Sequence, residues 1–328
     1  MRVLTFLFLL IALVTGTVCY RLFVPYGPQS ETFVDIPPGT RTPGIAQALE
    51  DAGIIRSRRG FELLRLIKGG KLKAGEYRFD HPETLLNVYA RLIKGDVFTL
   101  TLSVPEGYNI YDIAEAAEEA KLGTREGFLA AAHSQTALIA DFSPQAESLE
   151  GYLFPDTYHF SRHATDEEMV AAMVHRFRQE AAQIGLAASP VRETVILASL
   201  VEKETGVADE RPLIAGVFLN RLQKGMPLET DPSVIYAALR EDRYRGTIYA
   251  SDLANPSAYN TYRHDGLPPG PISNPGVASL KAAMHPAQTD YLYFVSDAAG
   301  HSRFSIDLQQ QNQNVQAYRH SVESPAAP

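Results

Sequence analysis

The chain has 328 residues, 45% of them hydrophobic and 21% charged, so it is long enough for two or three domains with at least one sizeable core. Its formal net charge of −8 argues against nucleic acid as a partner. Cys19 is the single cysteine, which excludes an intrachain disulfide and a cysteine-based metal site. The nine histidines show no paired metal-ligand spacing, so we expect neither a metal nor a cofactor.

An uncharged apolar run, Val3 to Tyr20, begins after Met1-Arg2 and ends at Arg21. As a helix it would nearly cross the hydrocarbon core of a bilayer. Its densest part also has the length of a signal peptide, with small residues near a cleavage point, so a secretion signal is the alternative. We favour an uncleaved anchor over residues 1–22. This predicts a single-pass protein of the cell inner membrane with its domains on the periplasmic side.

A pattern repeats at an offset of 68 residues in the first half of the chain. Ile36-Pro37-Pro38-Gly39, with an alanine-rich stretch to Ile54, recurs as Val104-Pro105-Glu106-Gly107 with a similar stretch to Leu122. Each copy predicts a strand, a Pro/Gly turn and a short amphipathic helix.

The first copy continues through a predicted helix, about 58–68, into a strand over 74–79. This strand, helix, helix, strand order resembles a LysM-like module, which we assign to residues 23–100. In other proteins that module binds the N-acetylglucosamine-containing glycan of cell walls. The alternative is a structural spacer domain without a ligand. Another helix, about 82–94, and a strand over 97–104 link the module to the second half.

The second half, residues 101–318, is predicted to be a helix-rich α+β domain. Helices are expected near 165–185, 189–205 and 210–224. Residues 226–276 are rich in proline and tyrosine, which predicts long loops, and long loops in a compact domain are usually functional. The tail, 319–328, is predicted to be disordered. The fold class is therefore α+β, with an anchor helix, a small module and a helix-rich domain with long Pro/Tyr-rich loops, in that order.

Residues 191–205, VRETVILASLVEKET, place a carboxylate where its charge is disfavoured. At about 100° per residue, Leu197, Leu200 and Val201 share a helix face with Glu204. Burial on that face raises the pKa of a carboxyl group, as a general acid requires near neutral pH. Glu204 is therefore our candidate catalytic acid.

Two further features bear on Glu204. Gly206 is the expected helix stop, which puts Glu204 in the last turn, where the helix dipole also disfavours its charge. Glu202 points roughly the opposite way. The alternative is a solvated Glu204 or one paired with a nearby cation, Lys203 or Arg211.

Five segments in the second half carry recognisable motifs. The segments are SLEGYLFPDTYHF (148–160), ASLVEKETGVADERPLIAGVFLNRL (198–222), MPLETDPSVIYA (226–237), AYNTYRHDGLPPGPISNPG (258–276) and LKAAMHPAQTDYLYFV (280–295). In this order they resemble the motifs of the bacterial endolytic murein transglycosylases, the YceG-like or MltG family.

The resemblance implies a lytic transglycosylase that cuts the MurNAc-β-1,4-GlcNAc bond inside glycan strands and leaves 1,6-anhydroMurNAc ends. The second Glu of the family's E-K-E motif, its catalytic residue, falls on Glu204, which would act first as acid and then as base. Peptidoglycan strands are the implied substrate, and peptidoglycan synthases are candidate partners. Two alternatives are a hydrolytic muramidase using Glu204 with Asp231, and a non-catalytic wall-binding or scaffold protein.

Candidate substrate-binding residues lie in the loop region. Tyr259, Asn260 and Tyr262 offer an aromatic face and hydrogen-bonding groups for a sugar, and Tyr236 lies in the preceding motif. The alternative is a packed loop whose polar groups cap local backbone. Asp231, before a proline, suits a turn, yet it could also stabilise positive charge at C1 or orient the acid.

Two further carboxylates are ambiguous. Asp156, after Pro155 in the FPDTY segment, is either a site residue or a turn residue. Glu229 stands where we expect a neutral polar residue in this family, and it could raise a neighbouring pKa or face solvent.

Overall fold

The structure, a computed structural model, describes residues 2–188, 190–297 and 300–323. The chain divides into two compact units, residues 1–100 and 101–328. The class is α+β as expected, because helices predominate and the strands form small two-stranded sheets.

The first unit follows the predicted strand, helix, helix, strand order. The two strands pair antiparallel, with Val34 opposite Tyr77. Phe61 and Phe79 are fully buried in the core beneath the strands. The described elements are α1 (Arg2–Phe23), β1 (Thr32–Ile36), α2 (Thr42–Asp51), α3 (Arg58–Lys68), β2 (Gly75–Phe79) and α4 (Leu85–Lys94).

Helix α1 coincides with the apolar leader. Leu22, near its end, packs against the core of the first unit, and the Arg56 guanidinium lies 4.7 Å from the Tyr20 ring centroid. Within the part of the chain that the structure describes, no helix meets the length and hydropathy needed to cross a membrane. The anchor over residues 1–22 stays a prediction.

The second unit is built mainly from helices. The described elements of this unit are β3 (Leu100–Ser103), α5 (Ile110–Glu119), α6 (Arg125–Ser134), β4 (Thr157–Phe160), α7 (Asp166–Ile184), α8 (Val191–Glu204), α9 (Arg211–Gln223), α10 (Asp231–Arg240), α11 (Ala250–Leu253), α12 (Val277–Met284), β5 (Tyr293–Ser296), β6 (Ser302–Ser305) and α13 (Leu308–Glu323). Phe294 lies opposite Phe304 in the antiparallel hairpin that β5 and β6 form.

Both copies of the sequence repeat adopt the predicted strand, turn and helix. Gly39 and Gly107, at the turns, have φ of 83° and 80°, a left-handed conformation that glycine adopts without steric cost. The repeated glycine therefore serves the same backbone turn in each copy.

Helix α8 is the central element of the second unit. Every residue from Thr194 to Val201 is buried, and helices α9 and α12 pack against it. Because all its faces are covered, the position of its last residue is fixed by the surrounding core.

Asn274 joins three separated loops at the core of the second unit. Its Oδ1 accepts a hydrogen bond from the Leu153 amide at 2.8 Å. Its Nδ2 donates to the Tyr108 carbonyl and to Glu150 Oε1, both at 2.9 Å. The side chain is fully buried, so these bonds lock the loops to one another without competition from water.

The carboxyl-terminal end differs from the expectation of a disordered tail. Helix α13 continues to Glu323, so 319–323 are helical, while 324–328 lie outside the described residues. Its first turn is capped by Asp307, and Gln311 donates to the Phe294 carbonyl of β5. The polar sequence of this segment does not predict the helix, because the contact that holds it is made with the β5–β6 hairpin, which lies beside it only in the folded protein.

Candidate active site

Glu204 lies at the carboxyl end of α8, where the next residue stops the helix. Thr205 has an extended conformation, with φ of −145°, and Gly206 is not left-handed, so Thr205 rather than Gly206 ends the helix. The Thr205 hydroxyl donates to Glu210 Oε2 at 3.2 Å, and the Ser302 hydroxyl donates to the same oxygen at 2.7 Å. The β5–β6 hairpin thereby fixes the end of α8.

The Glu204 carboxylate faces a cavity of about 340 Å³. Burial raises its pKa to about 6, although the Thr230 hydroxyl donates to Oε1 and lowers it. The negative charge of Asp231 acts in the same direction as burial. The group is therefore partly protonated near neutral pH, as a carboxyl that both donates and accepts protons must be.

The two cations that the sequence suggested as partners of Glu204 are held elsewhere. Arg211 pairs with Glu202 at 3.3 Å, and Lys203 Nζ donates to the Gly107 carbonyl at 3.2 Å. Glu202 Oε2 also accepts from the Gly276 amide at 2.9 Å. The two glutamates therefore differ in their contacts. Glu202 binds the Gly276 loop and Arg211, whereas Glu204 faces the cavity.

Asp231 and Tyr262 line the same cavity and contact each other. The Tyr262 hydroxyl donates to Asp231 Oδ1 at 2.7 Å. Burial and this bond raise the pKa of Tyr262 well above its ordinary value, so its hydroxyl keeps its proton. Asp231 is exposed as the first residue of α10. Of the predicted site residues, Glu204, Asp231 and Tyr262 thus come together.

Tyr236 and Tyr259 lie in the interior rather than in the cavity beside Glu204. Their ring centroids are 5.1 Å apart, and the Arg240 guanidinium lies 4.5 Å from the Tyr259 centroid. The Tyr236 hydroxyl donates to the buried Glu150 carboxyl, whose pKa is raised to about 8 by burial. Neither tyrosine offers a free ring face to a sugar at Glu204.

Asn260 caps local backbone, which is the packed-loop alternative for this residue. It is fully buried, and its Nδ2 donates to the Leu253 and Asn255 carbonyls at 3.0 and 2.8 Å. Its Oδ1 accepts from the Tyr262 amide at 3.0 Å. Asn260 therefore supports the loop that presents Tyr262, without lining the cavity itself.

Asp156 is placed away from the cavity. Its carboxylate accepts a hydrogen bond from Arg176 Nε at 2.7 Å, and this bond lowers its pKa. A paired, stably ionised carboxylate of this kind suits a structural link between a loop and α7.

Sequence reasoning missed Thr230 and Arg221. Thr230 is the hydroxyl donor to Glu204, and its only signal was its place between Glu229 and Asp231 in the third motif. Arg221 Nη1 lies 3.1 Å from Glu229 Oε2, so the unexpected carboxylate is ion-paired. Glu229 also has a left-handed backbone, with φ of 51°.

A sequence model described as the YceG-like family matches residues 34–317. The chain belongs to the YceG-like family. The resemblance recognised in the five motifs is thereby confirmed.

Similar proteins named endolytic murein transglycosylase cover nearly all of the chain. That of Bacillus subtilis (strain 168) is 32% identical over 322 residues, which is 90% of this chain and 88% of that protein. That of Streptococcus pneumoniae serotype 2 (strain D39 / NCTC 7466) is 31% identical over 327 residues, which is 89% of this chain and 59% of that protein.

A solved structure shares the fold. The crystal structure of a YceG-like protein from Listeria monocytogenes is 30% identical, with a TM-score of 0.59 over 87% of this chain and 99% of that chain. The YceG-like motifs meet around α8. Thr230 and Tyr262 bring two of them to the cavity, and Asn274 ties the first motif to the fourth.

Proposed function

We propose that this protein is a lytic transglycosylase that cleaves the MurNAc-β-1,4-GlcNAc bond within peptidoglycan strands and leaves 1,6-anhydroMurNAc ends. The observation that carries the proposal is Glu204: a cavity-facing carboxyl at the end of a buried helix, with a pKa of about 6 and its neighbouring cations engaged elsewhere. The names of the relatives, endolytic murein transglycosylases, support the same reaction.

One carboxyl group suffices for this reaction because it acts twice. Protonated Glu204 donates its proton to the glycosidic oxygen as the bond to C1 breaks. The resulting carboxylate then takes the proton of the C6 hydroxyl, whose oxygen attacks C1 and closes the anhydro ring. The proton on Glu204 is restored, and no water is consumed. A pKa of about 6 lets the group serve in both steps.

Other polar groups of the cavity orient the Glu204 carboxyl and set the charge around it. The Thr230 hydroxyl fixes one oxygen of Glu204, which leaves the other directed to the substrate. Asp231, held by Tyr262, supplies negative charge in the same cavity, where positive charge develops at C1. Their roles are orientation and electrostatic stabilisation.

A hydrolytic muramidase is the second candidate, because Asp231 is a second carboxylate lining the cavity. Hydrolysis of a glycosidic bond uses such a pair, one as acid and the other as base or nucleophile. The bond from Tyr262 occupies one Asp231 oxygen, which favours a supporting role for Asp231 over direct attack.

Mass spectrometry of the products separates these candidates. Purified glycan is digested with the full-length protein, and the masses of the new muramic acid ends are measured. Anhydro ends are lighter than hydrated reducing ends by one water molecule. Anhydro ends support the proposal, and hydrated ends alone identify a hydrolase. Binding without new ends identifies a non-catalytic wall-binding or scaffold protein.

The position of the cut and the cellular location are further proposals. The cut within strands rests on the relatives' names, and the inner-membrane location with a periplasmic catalytic unit rests on the apolar leader. Glycan binding by the LysM-like first unit and association with peptidoglycan synthases rest on the family resemblance. Fractionation of cells and a size analysis of partly digested strands test the first two.

A further inference from the structure

The first unit contains a basic segment in an acidic chain. Residues 56–73, RSRRGFELLRLIKGGKLK, carry seven lysines and arginines and one acidic residue. Their formal charge is +6, whereas the whole chain has a net charge of −8. The segment contains α3, so the charge is presented along a helix and the loop that follows it.

Helix α3 is apolar on two sides, and only one of them is covered. Phe61 and Leu64 are buried in the core. Leu63, Leu66 and Ile67 are 53%, 83% and 73% exposed. Their spacing of three and four residues places these three on one face of the helix. An exposed cluster of large aliphatic side chains on one face is unfavourable in water and indicates a surface that binds something.

Cations border this apolar cluster. Arg59, Lys68 and Lys71 are exposed, and within the described part of the chain no carboxylate pairs with them. An open depression of about 690 Å³ at the end of α3 is lined by Lys71 together with Arg41 and Arg65. We name the exposed residues of this surface, Arg59, Leu63, Leu66, Ile67, Lys68 and Lys71, the α3 face.

We propose that the α3 face docks on an anionic lipid bilayer. The aliphatic side chains enter the boundary between headgroups and acyl chains, and the cations contact lipid phosphates, the arrangement typical of interfacial amphipathic helices. A glycan fits this surface poorly, because the α3 face has no aromatic ring on which a sugar could stack, and an uncharged sugar leaves the cations unmatched. The inference is independent of the chemistry at Glu204.

The test places a fluorescent probe on the α3 face of the full chain. Leu66→Cys is labelled with bimane in a Cys19→Ser background, and Asp35→Cys, exposed on β1, is the matched control. Each protein is mixed with brominated-lipid vesicles of phosphatidylcholine alone or with phosphatidylglycerol. Helix α1 is present in both proteins, so its own lipid binding is common to them.

We expect the probe at position 66 to be quenched strongly in the anionic vesicles, less in neutral ones and less at high salt, with little quenching at position 35. Lys68→Glu with Lys71→Glu should reduce the quenching-derived partitioning by about tenfold or more. Equal quenching at the two positions, or no dependence on lipid charge, overturns the proposal. Quenching that appears only after an acidic protein or a second copy is added also overturns it.

Discussion

The Thr230 hydroxyl donates a hydrogen bond to the Glu204 carboxylate and so joins the residue before α10 to the end of α8. This bond stabilises the ionised carboxylate, whereas burial and the charge of Asp231 stabilise its protonated form. The two neighbours of Glu204 therefore shift its pKa in opposite directions around the value of about 6, and each can be removed separately.

Thr230→Val should raise the pKa of Glu204, because it removes the donor that favours the ionised form while keeping a branched side chain. The high-pH limb of the cleavage rate should move upward by up to about one pH unit, with a lower maximum because the carboxyl is less well oriented. The check is the rate as a function of pH. Thr230→Ser, which retains the hydroxyl, should restore the wild-type midpoint, and an unmoved midpoint in the valine variant contradicts the account.

Asp231→Asn should lower the pKa of Glu204, since a negative neighbour no longer opposes its ionisation. The high-pH limb of the rate should then move downward, opposite to the shift in Thr230→Val. The same pH profiles measure it. A loss of activity of about a thousandfold or more at every pH would instead assign Asp231 a direct role as base or nucleophile.

The elements of the fold followed from patterns that are local in the sequence. The predicted helices near 165–185, 189–205 and 210–224 are helices over 166–184, 191–204 and 211–223 in the structure. Apolar periodicity, helix caps and the repeated Pro/Gly turn carry this information within a few residues. The candidate acid, Glu204, could be chosen on the same basis, from the apolar face of one helix.

The residues around Glu204 could not be predicted from local patterns, because they come from segments distant in the sequence. Thr230 is 26 positions from Glu204 in sequence, and no local pattern marks it as a partner. Tyr236 and Asn260 were drawn into the predicted site by their residue types, yet the structure uses them as a buried ring and a backbone cap. Whether an aromatic or amide group is free to bind depends on packing that only the fold determines.

Glu150 should make the stability of the protein fall as pH rises. Burial raises its folded pKa from 4.5 to about 8, so between these values the folded state holds a proton that the unfolded state has released. That contribution is greatest below the unfolded pKa and is lost progressively toward about pH 8, at roughly 1.4 kcal/mol per pH unit.

Glu150→Gln cannot ionise and should remove this dependence. Urea unfolding at about pH 5.5 and about pH 7.5 should show the wild type losing roughly 2 to 3 kcal/mol more than the variant over that interval. Glu147→Gln, an exposed neighbour with the same chemical change, is the matched control and should keep the wild-type slope. Equal slopes in Glu150→Gln and the wild type would contradict the assignment.

Asn260→Ala should lower the stability of the protein and should not remove a direct contact with the glycan. Its amide, on a fully buried side chain, donates to the Leu253 and Asn255 carbonyls of the loop, and losing these two bonds should lower the free energy of unfolding by about 1 to 3 kcal/mol. Thermal unfolding and glycan binding are measured on the same variant. Unchanged stability with lost glycan binding would show that Asn260 contacts the sugar directly.

The most direct test of the account is the rate at which Glu204→Gln forms anhydromuramoyl ends from purified peptidoglycan. Glu193→Gln, at the opposite end of the same helix, is the control for the chemical change, and thermal unfolding confirms that both variants are folded. We predict a loss of about 10² to 10⁴-fold for Glu204→Gln and a wild-type rate for Glu193→Gln. A folded Glu204→Gln variant that keeps its rate to within about tenfold would contradict Glu204 as the acid and base.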